Sequence, residues 1–351
     1  MERDLTPDWI LKETLSLQRQ AIEGYFNDKK GHTRKKDDGE ITLTFLGCGT
    51  MGIAILGGIF EALSHEASKD HASLPGSSPL GTAALAPAKP CRTPTKFNAC
   101  VRQPASAERI RKKLGRYPAY SSLKIHENEN VVPTKEADVV LLCCEPHVVS
   151  DMLQTEGMRE ALTGKLLISI AAGITEQEIS ASLSSGASGA ANCTIIRAMP
   201  NAAAAIRESM TVIATPKPPL PPSTTELVTW IFSSIGRVIY LPLSNMGACT
   251  ALCGSGPAFV ALMVESLAAG AIAMGVPREE SYTMAAQMVR GTTALLLHGE
   301  HPALLRDKVS TPGGCTMTGL NVMEEGGVRG VIARAVREAA IKAGPSGEGR
   351  I

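Results

Sequence analysis

Aromatic side chains are scarce in this 351-residue chain: Phe, Trp and Tyr together make up 4% of it, with two tryptophans. Little material is left for the stacking platforms that hold unpaired bases. Charge of one sign is lacking too. The 35 basic and 34 acidic residues leave a formal net charge of +1, so nothing in the balance draws the chain to nucleic acid or an anionic membrane. The nine cysteines include no C-x-x-C pair, which argues against zinc, and no metal site is expected. Scattered and odd in number, they read as free thiols of a reducing compartment rather than a disulfide scaffold. Met1 to Gln20 is mixed in charge and carries no long apolar run, unlike a signal peptide or an Arg-rich transit sequence. No apolar stretch of membrane-spanning length is clear of Gly, Pro and charge. A cytoplasmic protein is expected, with no nucleic-acid or membrane partner.

What is present is small and apolar. The hydrophobic fraction is 44% and glycine alone contributes 33 residues, so backbones and ligands can approach one another closely. The length allows two domains. Residues 1–40 read as an extension, with an amphipathic helix over Leu5–Phe26 and a charged linker over Asn27–Glu40. A βα rhythm starts with a strand over Ile41–Leu46 and a helix over Met51–Leu63. Residues 64–95, rich in Ser, Ala, Pro and Lys without a steady period, read as a disordered insertion. Strands are then expected at Phe97–Val101, Val139–Cys144, Leu166–Ile170, Thr194–Met199, Met210–Ala214 and Val238–Leu241, with a basic helix over Ala105–Leu114. Such alternation predicts a Rossmann-type, doubly wound parallel sheet over 41–245. Residues 246–345 read as an all-α domain. Its segment Phe259–Met274, apolar all round but for Glu265, demands burial against a second subunit.

Two segments carry chemistry. Gly47-Cys48-Gly49-Thr50-Met51-Gly52 fits G-x-G-x-x-G between a strand and a helix, the context in which that motif binds a dinucleotide. Gly47 would permit the turn, Gly49 the approach of a pyrophosphate, and Gly52 close packing of helix on strand. The second strand ends at Arg102, where NAD sites carry a carboxylate for the ribose. A cation there suits a 2′-phosphate, so NADPH is expected over NADH, with NADH the alternative. The other segment is Ser310-Thr311-Pro312-Gly313-Gly314-Cys315-Thr316. Pro and paired Gly force an irregular loop before a helix, exposing N–H groups that can hold a carboxylate. The Thr316 hydroxyl would face the same ligand or merely cap the helix.

At this loop the chain resembles a known family. Pro302–Glu324 is similar to the signature of pyrroline-5-carboxylate reductases. Phe45–Gly52, Ala137–His147, Ile168–Thr175, Arg197–Asn201, Cys253–Val260 and Ala273–Glu279 look like that family's other blocks, in order. The resemblance implies reduction of the cyclic imine 1-pyrroline-5-carboxylate to L-proline. It implies that Arg102 and Asn130 hold the adenosine end of the cofactor. Cys143, Cys144, Glu145 and Pro146, with Ala171, Ala172 and Gly173, would line the dinucleotide, and Asn201 would lie beside the nicotinamide. Thr311, Gly313, Gly314, Cys315 and Thr316 would hold the substrate, Thr316 approaching the imine nitrogen as the catalytic hydroxyl. The partner implied is a second copy, the helical domains interlocked in a homodimer or in a higher oligomer built from it.

The sequence departs from the family at three places. Glu145 stands where a lysine is usual, Ala202-Ala203 replace Thr-Pro, and Leu243-Ser244-Asn245 replace acidic residues. Two other functions stay open: a related cyclic-imine reductase of specialised metabolism, and a cofactor-binding protein without catalysis. A β-hydroxyacid dehydrogenase ranks below both, since the interior of 250–300 holds no lysine. His147, His298 and His301 read as structural or solvated rather than catalytic.

Overall fold

The computed structural model describes residues 40–69, 90, 92–184 and 192–344. The expected helix Leu5–Phe26 and nearly all of the linker after it lie outside the described residues. The chain divides into two compact units. Of the described residues, one unit holds those up to Gly254 together with those from Ala339 onward, and the other holds Ser255–Glu338.

The first unit is built on an eight-stranded sheet. Its strands are β1 (Ile41–Leu46), β2 (Pro94–Val101), β3 (Leu123–Glu127), β4 (Val139–Leu142), β5 (Leu166–Ser169), β6 (Thr194–Met199), β7 (Ser209–Ala214) and β8 (Gly236–Leu241). They lie in the order β3-β2-β1-β4-β5-β6-β7-β8. The order reverses between β1 and β4, whose carboxyl ends therefore flank the crevice where ligands bind in such sheets. β4 and β5 are buried at every position, as central parallel strands covered on both faces must be.

The connecting helices are α1 (Thr50–Lys69), α2 (Pro104–Leu114), α3 (Val131–Glu136), α4 (Pro146–Leu153), α5 (Met158–Leu162), α6 (Glu176–Ser184) and α7 (Pro222–Ser233). Alternate strand residues feed two cores. Leu43, Phe45 and Leu141 pack with Ile55 and Phe60 of α1, Ile110 of α2 and Ile231 of α7. Val140, Leu142 and Leu167 pack with Leu153 of α4, Leu162 of α5 and Ile179 of α6. A buried polar chain crosses three strands beneath them. The Asn98 amide donates to Thr44 Oγ1 at 3.2 Å, and Thr44 Oγ1 donates to the Pro133 carbonyl at 3.0 Å. His126 Nε2 meets Asn98 Oδ1 at 3.1 Å.

Four expectations are corrected. The sheet is not wholly parallel, because β6 and β7 pair antiparallel. The connection, Pro200–Glu208, is nine residues long and contains only the 3-10 turn Ala202–Ile206, and a parallel return needs a crossover of a dozen residues or more. The strand β3 was not expected at all. It is an edge strand with Lys124 and Glu127 exposed and no position fully buried, and its apolar signal is correspondingly thin. The expected insertion at 64–95 is too long at both ends. Helix α1 runs to Lys69 and β2 begins at Pro94. Ser64 Oγ bonds the Phe60 carbonyl at 2.8 Å, and His65 pairs with Glu61 one turn earlier. Residues 70–89 and 91 of that stretch lie outside the described residues. Finally β4 stops at Leu142, leaving Cys143 and Cys144 half-buried in the loop beyond it rather than in the strand.

Helical structure begins at Leu243, ahead of the division between the units. A 3-10 turn (Leu243–Asn245), the short α8 (Met246–Cys249) and a π-helical turn (Thr250–Ser255) lead into α9 (Gly256–Ala273). Helices α10 (Arg278–Leu297), α11 (Pro302–Lys308), α12 (Cys315–Glu325) and α13 (Val328–Ala343) follow. Gly275, at φ 90°, ends α9 in a Schellman motif: its N–H bonds the Ile272 carbonyl and the Val276 N–H bonds that of Ala271. Ala268 is the one buried residue of α9, while Leu262 is 64% and Leu267 48% exposed. The run Leu243–Ala273 is apolar and long enough, at 31 residues, to cross a membrane by length and composition.

Candidate active site

The cofactor turn follows directly from β1. Gly47 adopts φ 77°, and a Cβ built on it would lie 2.6 Å from Cys144 Cβ. The β1 and β4 loops are thus in contact where the strand order reverses. Gly52 faces Cys48 Sγ at 3.1 Å and Cys143 Cβ at 3.7 Å, so α1 sits close on both strand ends. Gly49 is different: a Cβ there would meet only the Gly47 carbonyl, at 3.9 Å. That side of the turn is open. The Ile53 N–H bonds the Gly49 carbonyl at 2.9 Å, but the N–H groups of Thr50, Met51 and Gly52 find no acceptor among the described residues. Free donors at the positive end of a 20-residue helix make an anion cradle.

The outer end of this crevice lies past β2. Arg102 is exposed and makes no ion pair among the described residues. The Asn128 N–H bonds the Val101 carbonyl at 2.9 Å, which folds the loop after β3 back toward Arg102. Asn130 follows in that loop. Its carbonyl accepts from the Thr134 hydroxyl at 2.7 Å, while Glu129 caps α3 by accepting from Val131 and Val132. Sequence reasoning missed that cap.

The remaining loops line up along the same strand ends. Glu145 stands at the N-cap of α4, 80% exposed, with His147 Nε2 at 3.7 Å from its carboxylate. Ala171 is buried, Ala172 and Gly173 are exposed, and Gly173 at φ 75° has no atom within 4 Å of a built Cβ. Thr175 and Glu178 form a reciprocal capping box at the start of α6, a Thr-x-x-Glu signal legible in the sequence but overlooked. Those hydrogen bonds hold the Glu178 carboxyl below its usual range. Burial pushes the Cys48 thiol up to about 12 and Cys144 up to about 11. Both thiols pack at the turn, Cys48 against Gly52 and Cys144 against Gly47.

Asn201 is hydrogen-bonded through both its amide nitrogen and its amide oxygen within its own unit. Its amide donates to the Cys253 carbonyl at 3.0 Å and its Oδ1 accepts from the Ala203 N–H at 3.2 Å. It ties the end of β6 to the π-helical turn.

The second site belongs to the helical unit. Gly313 turns the chain at φ 71°, and the Gly314 N–H bonds the Thr311 carbonyl at 3.0 Å. A Cβ on Gly314 would strike Thr311 Oγ1, so Thr311 fixes the loop. The N-cap of α12 is Gly314, without a side-chain cap. Thr316 is therefore not the cap. Its hydroxyl is half-buried and finds no partner among the described residues. Neither do the N–H groups of Gly313, Cys315 and Thr316, whereas that of Met317 bonds the Gly314 carbonyl at 3.1 Å. Three free N–H groups beside a free hydroxyl suit a carboxylate next to a second polar atom. Of the histidines, His301 caps α11, accepting from the Ala303 N–H at 3.3 Å.

Together these features define a unit of the Rossmann class joined to a helical unit whose loop Thr311–Thr316 exposes unpaired N–H groups. Residues 244–345 match the family described as pyrroline-5-carboxylate reductase dimerisation, and residues 77–173 match NADP oxidoreductase coenzyme F420-dependent. A pyrroline-5-carboxylate reductase of Lophium arboricola is 52% identical over 318 residues, 90% of this chain and 96% of that protein. Among solved structures, a pyrroline-5-carboxylate reductase from Coxiella burnetii superposes with a TM-score of 0.66 at 24% identity, covering 86% of this chain and 96% of that one. Plasmodium falciparum pyrroline carboxylate reductase, solved with NADP bound, gives 0.63 at 23% identity, covering 86% and 97%. The chain belongs to the pyrroline-5-carboxylate reductase family.

Proposed function

We propose that this chain reduces 1-pyrroline-5-carboxylate to L-proline with NADPH, as a cytoplasmic homodimer whose helical domains interlock. The observation that carries this reading is the substrate loop, where Thr316 keeps a free hydroxyl beside three unpaired N–H groups. A cyclic imino acid has both complements, a carboxylate for the N–H groups and a ring nitrogen for the hydroxyl.

The residues of the first unit fit the dinucleotide. The open side of Gly49 and the unpaired N–H groups of Thr50, Met51 and Gly52 suit a pyrophosphate. Arg102, with no carboxylate partner, suits the 2′-phosphate. Asn130, the loop Cys143–Pro146, the loop Ala171–Gly173 and the backbone of Asn201 would flank the rest. NADPH supplies the hydride when bound. Gly313, Cys315 and Thr316 hold the carboxylate and so fix the imine carbon, while Thr316 orients the ring nitrogen. A hydroxyl is a poor acid, so positioning supplies most of the rate. The exposed apolar side chains of α9, Leu262 and Leu267 among them, call for a protein surface to cover them, and a second copy provides it.

The test is NADPH oxidation by the purified protein with pyrroline-5-carboxylate, alongside light scattering. Turnover by a dimer or a larger assembly is expected. Tight NADPH binding without turnover of any five- or six-membered imino acid, or an active monomer, would overturn it.

A further inference from the structure

A further cleft runs along the first unit. It encloses about 400 Å³, within the range of small-molecule sites. Its floor is Ala54 and Gly57 of α1, continued by Ala205 of the 3-10 turn after β6, with the buried Gly58 and Ala204 beneath them. Residues that small let a flat group lie against the backbone. The walls are charged. Arg109, Lys113, Arg116 and Arg207 stand around it, and Glu61 is the one carboxylate among the lining residues.

That charge is mostly unspent. Lys113 has no ion-pair partner among the described residues, and Arg109 bonds only the Ser106 hydroxyl, at 3.0 Å. Glu61 lies 3.9 Å from Arg207 but shares its carboxylate with His65. Arg207 is placed by the turn that it closes. It sits at φ 61°, one of two non-glycine residues in the left-handed region among the described residues. That backbone closes the 3-10 turn, the Arg207 N–H bonding the Ala203 and Ala204 carbonyls, and it places the long side chain at the cleft wall. Arg116 lies over the Tyr117 ring, 4.9 Å from its centroid, an arrangement that also presents a stacking surface at the cleft wall.

We propose that this cleft binds a nucleoside diphosphate, its phosphates on Lys113, Arg116 and Arg207 and its base on the small-residue floor. It is not the adenosine end of the cofactor crevice. Arg102 precedes α2, whereas Lys113 and Arg116 lie at its far end, and eleven residues of helix span roughly 16 Å. Thr50 alone belongs to both.

The probes are ADP and pyrophosphate, titrated calorimetrically into full-length protein saturated with NADP⁺ so that the cofactor turn is occupied. ADP should bind this complex, and pyrophosphate at least tenfold more weakly. Lys113→Glu combined with Arg207→Glu should weaken ADP binding by tenfold or more and change the NADPH KM less than twofold. Arg207→Gly serves as a second variant, since glycine accepts the left-handed backbone without cost. It should keep or raise Tm while still losing ADP affinity. Absence of ADP binding with NADP⁺ bound, or binding indifferent to all three substitutions, would overturn the site. Pyrophosphate binding as tightly as ADP would overturn the nucleoside.

Discussion

Gly47 and Gly313 take nearly the same left-handed backbone, at φ 77° and 71°, in two turns that each open a helix. Their surroundings differ. A methyl on Gly47 would collide with Cys144 at 2.6 Å, while one on Gly313 would meet nothing within 4 Å. The cofactor turn is clamped by the loop after β4, so its geometry is finished within one unit of one chain. The loop Thr311–Thr316 is held from inside, by Thr311 against Gly314, and no atom of the described residues lies within 4 Å of a Cβ built on Gly313. Two turns built on the same backbone device thus depend differently on what surrounds them.

Breaking the comparison at its tight end should have the largest effect. Gly47→Ala combines left-handed strain of about 1–2 kcal/mol with overpacking of about 1–3 kcal/mol. Urea denaturation should show a loss of several kcal/mol together with loss of NADPH binding. Gly313→Ala carries only the strain, so its midpoint should move far less while the KM for the imino acid rises. Equal destabilisation of both proteins would erase the distinction.

Thr316 sharpens the loop side. Loss of one hydrogen bond to a polar or charged group costs roughly 1.5–3 kcal/mol, about ten- to a hundredfold in rate. Thr316→Ala should lower kcat by that factor with NADPH binding intact, and Thr316→Ser should recover much of it. Because α12 is capped at Gly314, Tm should hold in both. A less stable but fully active Thr316→Ala enzyme would remove the hydroxyl from the chemistry.

Smaller effects belong to the outer rim of the cofactor crevice. Arg102→Ala should raise the NADPH KM several-fold and leave NADH unchanged; an equal loss for both cofactors would mean that Arg102 does not read the phosphate. Glu145→Lys should tighten NADPH at low ionic strength and have little effect in concentrated salt, since so exposed a charge is well screened. The smallest change is expected at the capping box. Thr175→Ala should cost about 1 kcal/mol without altering either KM.

Much of this was legible in the residues. The turn Gly47–Gly52, the strands flanking it and the loop Ser310–Thr316 are each contiguous, so local pattern carries them. What escaped depends on partners distant in sequence. The tie from Asn201 to Cys253 spans 52 positions and leaves no local trace. The antiparallel β6–β7 pair follows from the brevity of the Pro200–Glu208 connection, which alternation alone does not weigh. The strand β3 is defined by its place beside β2 rather than by hydrophobicity. The sequence did separate two readings of Thr316, but only the position of Gly314 at the helix start decides against the cap.

The polar chain through Thr44, Asn98 and His126 specifies how the edge of the sheet is assembled. An apolar strand accepts a neighbour shifted by two residues at little cost, since the same face stays inward. Asn98 does not. Its amide is buried and already donates to Thr44, so its oxygen must find a donor, and in the observed alignment that donor is His126 Nε2. Any slip of β3 would strand that oxygen without water, a penalty of about 1–3 kcal/mol. The least hydrophobic strand of the sheet is thereby given a single address.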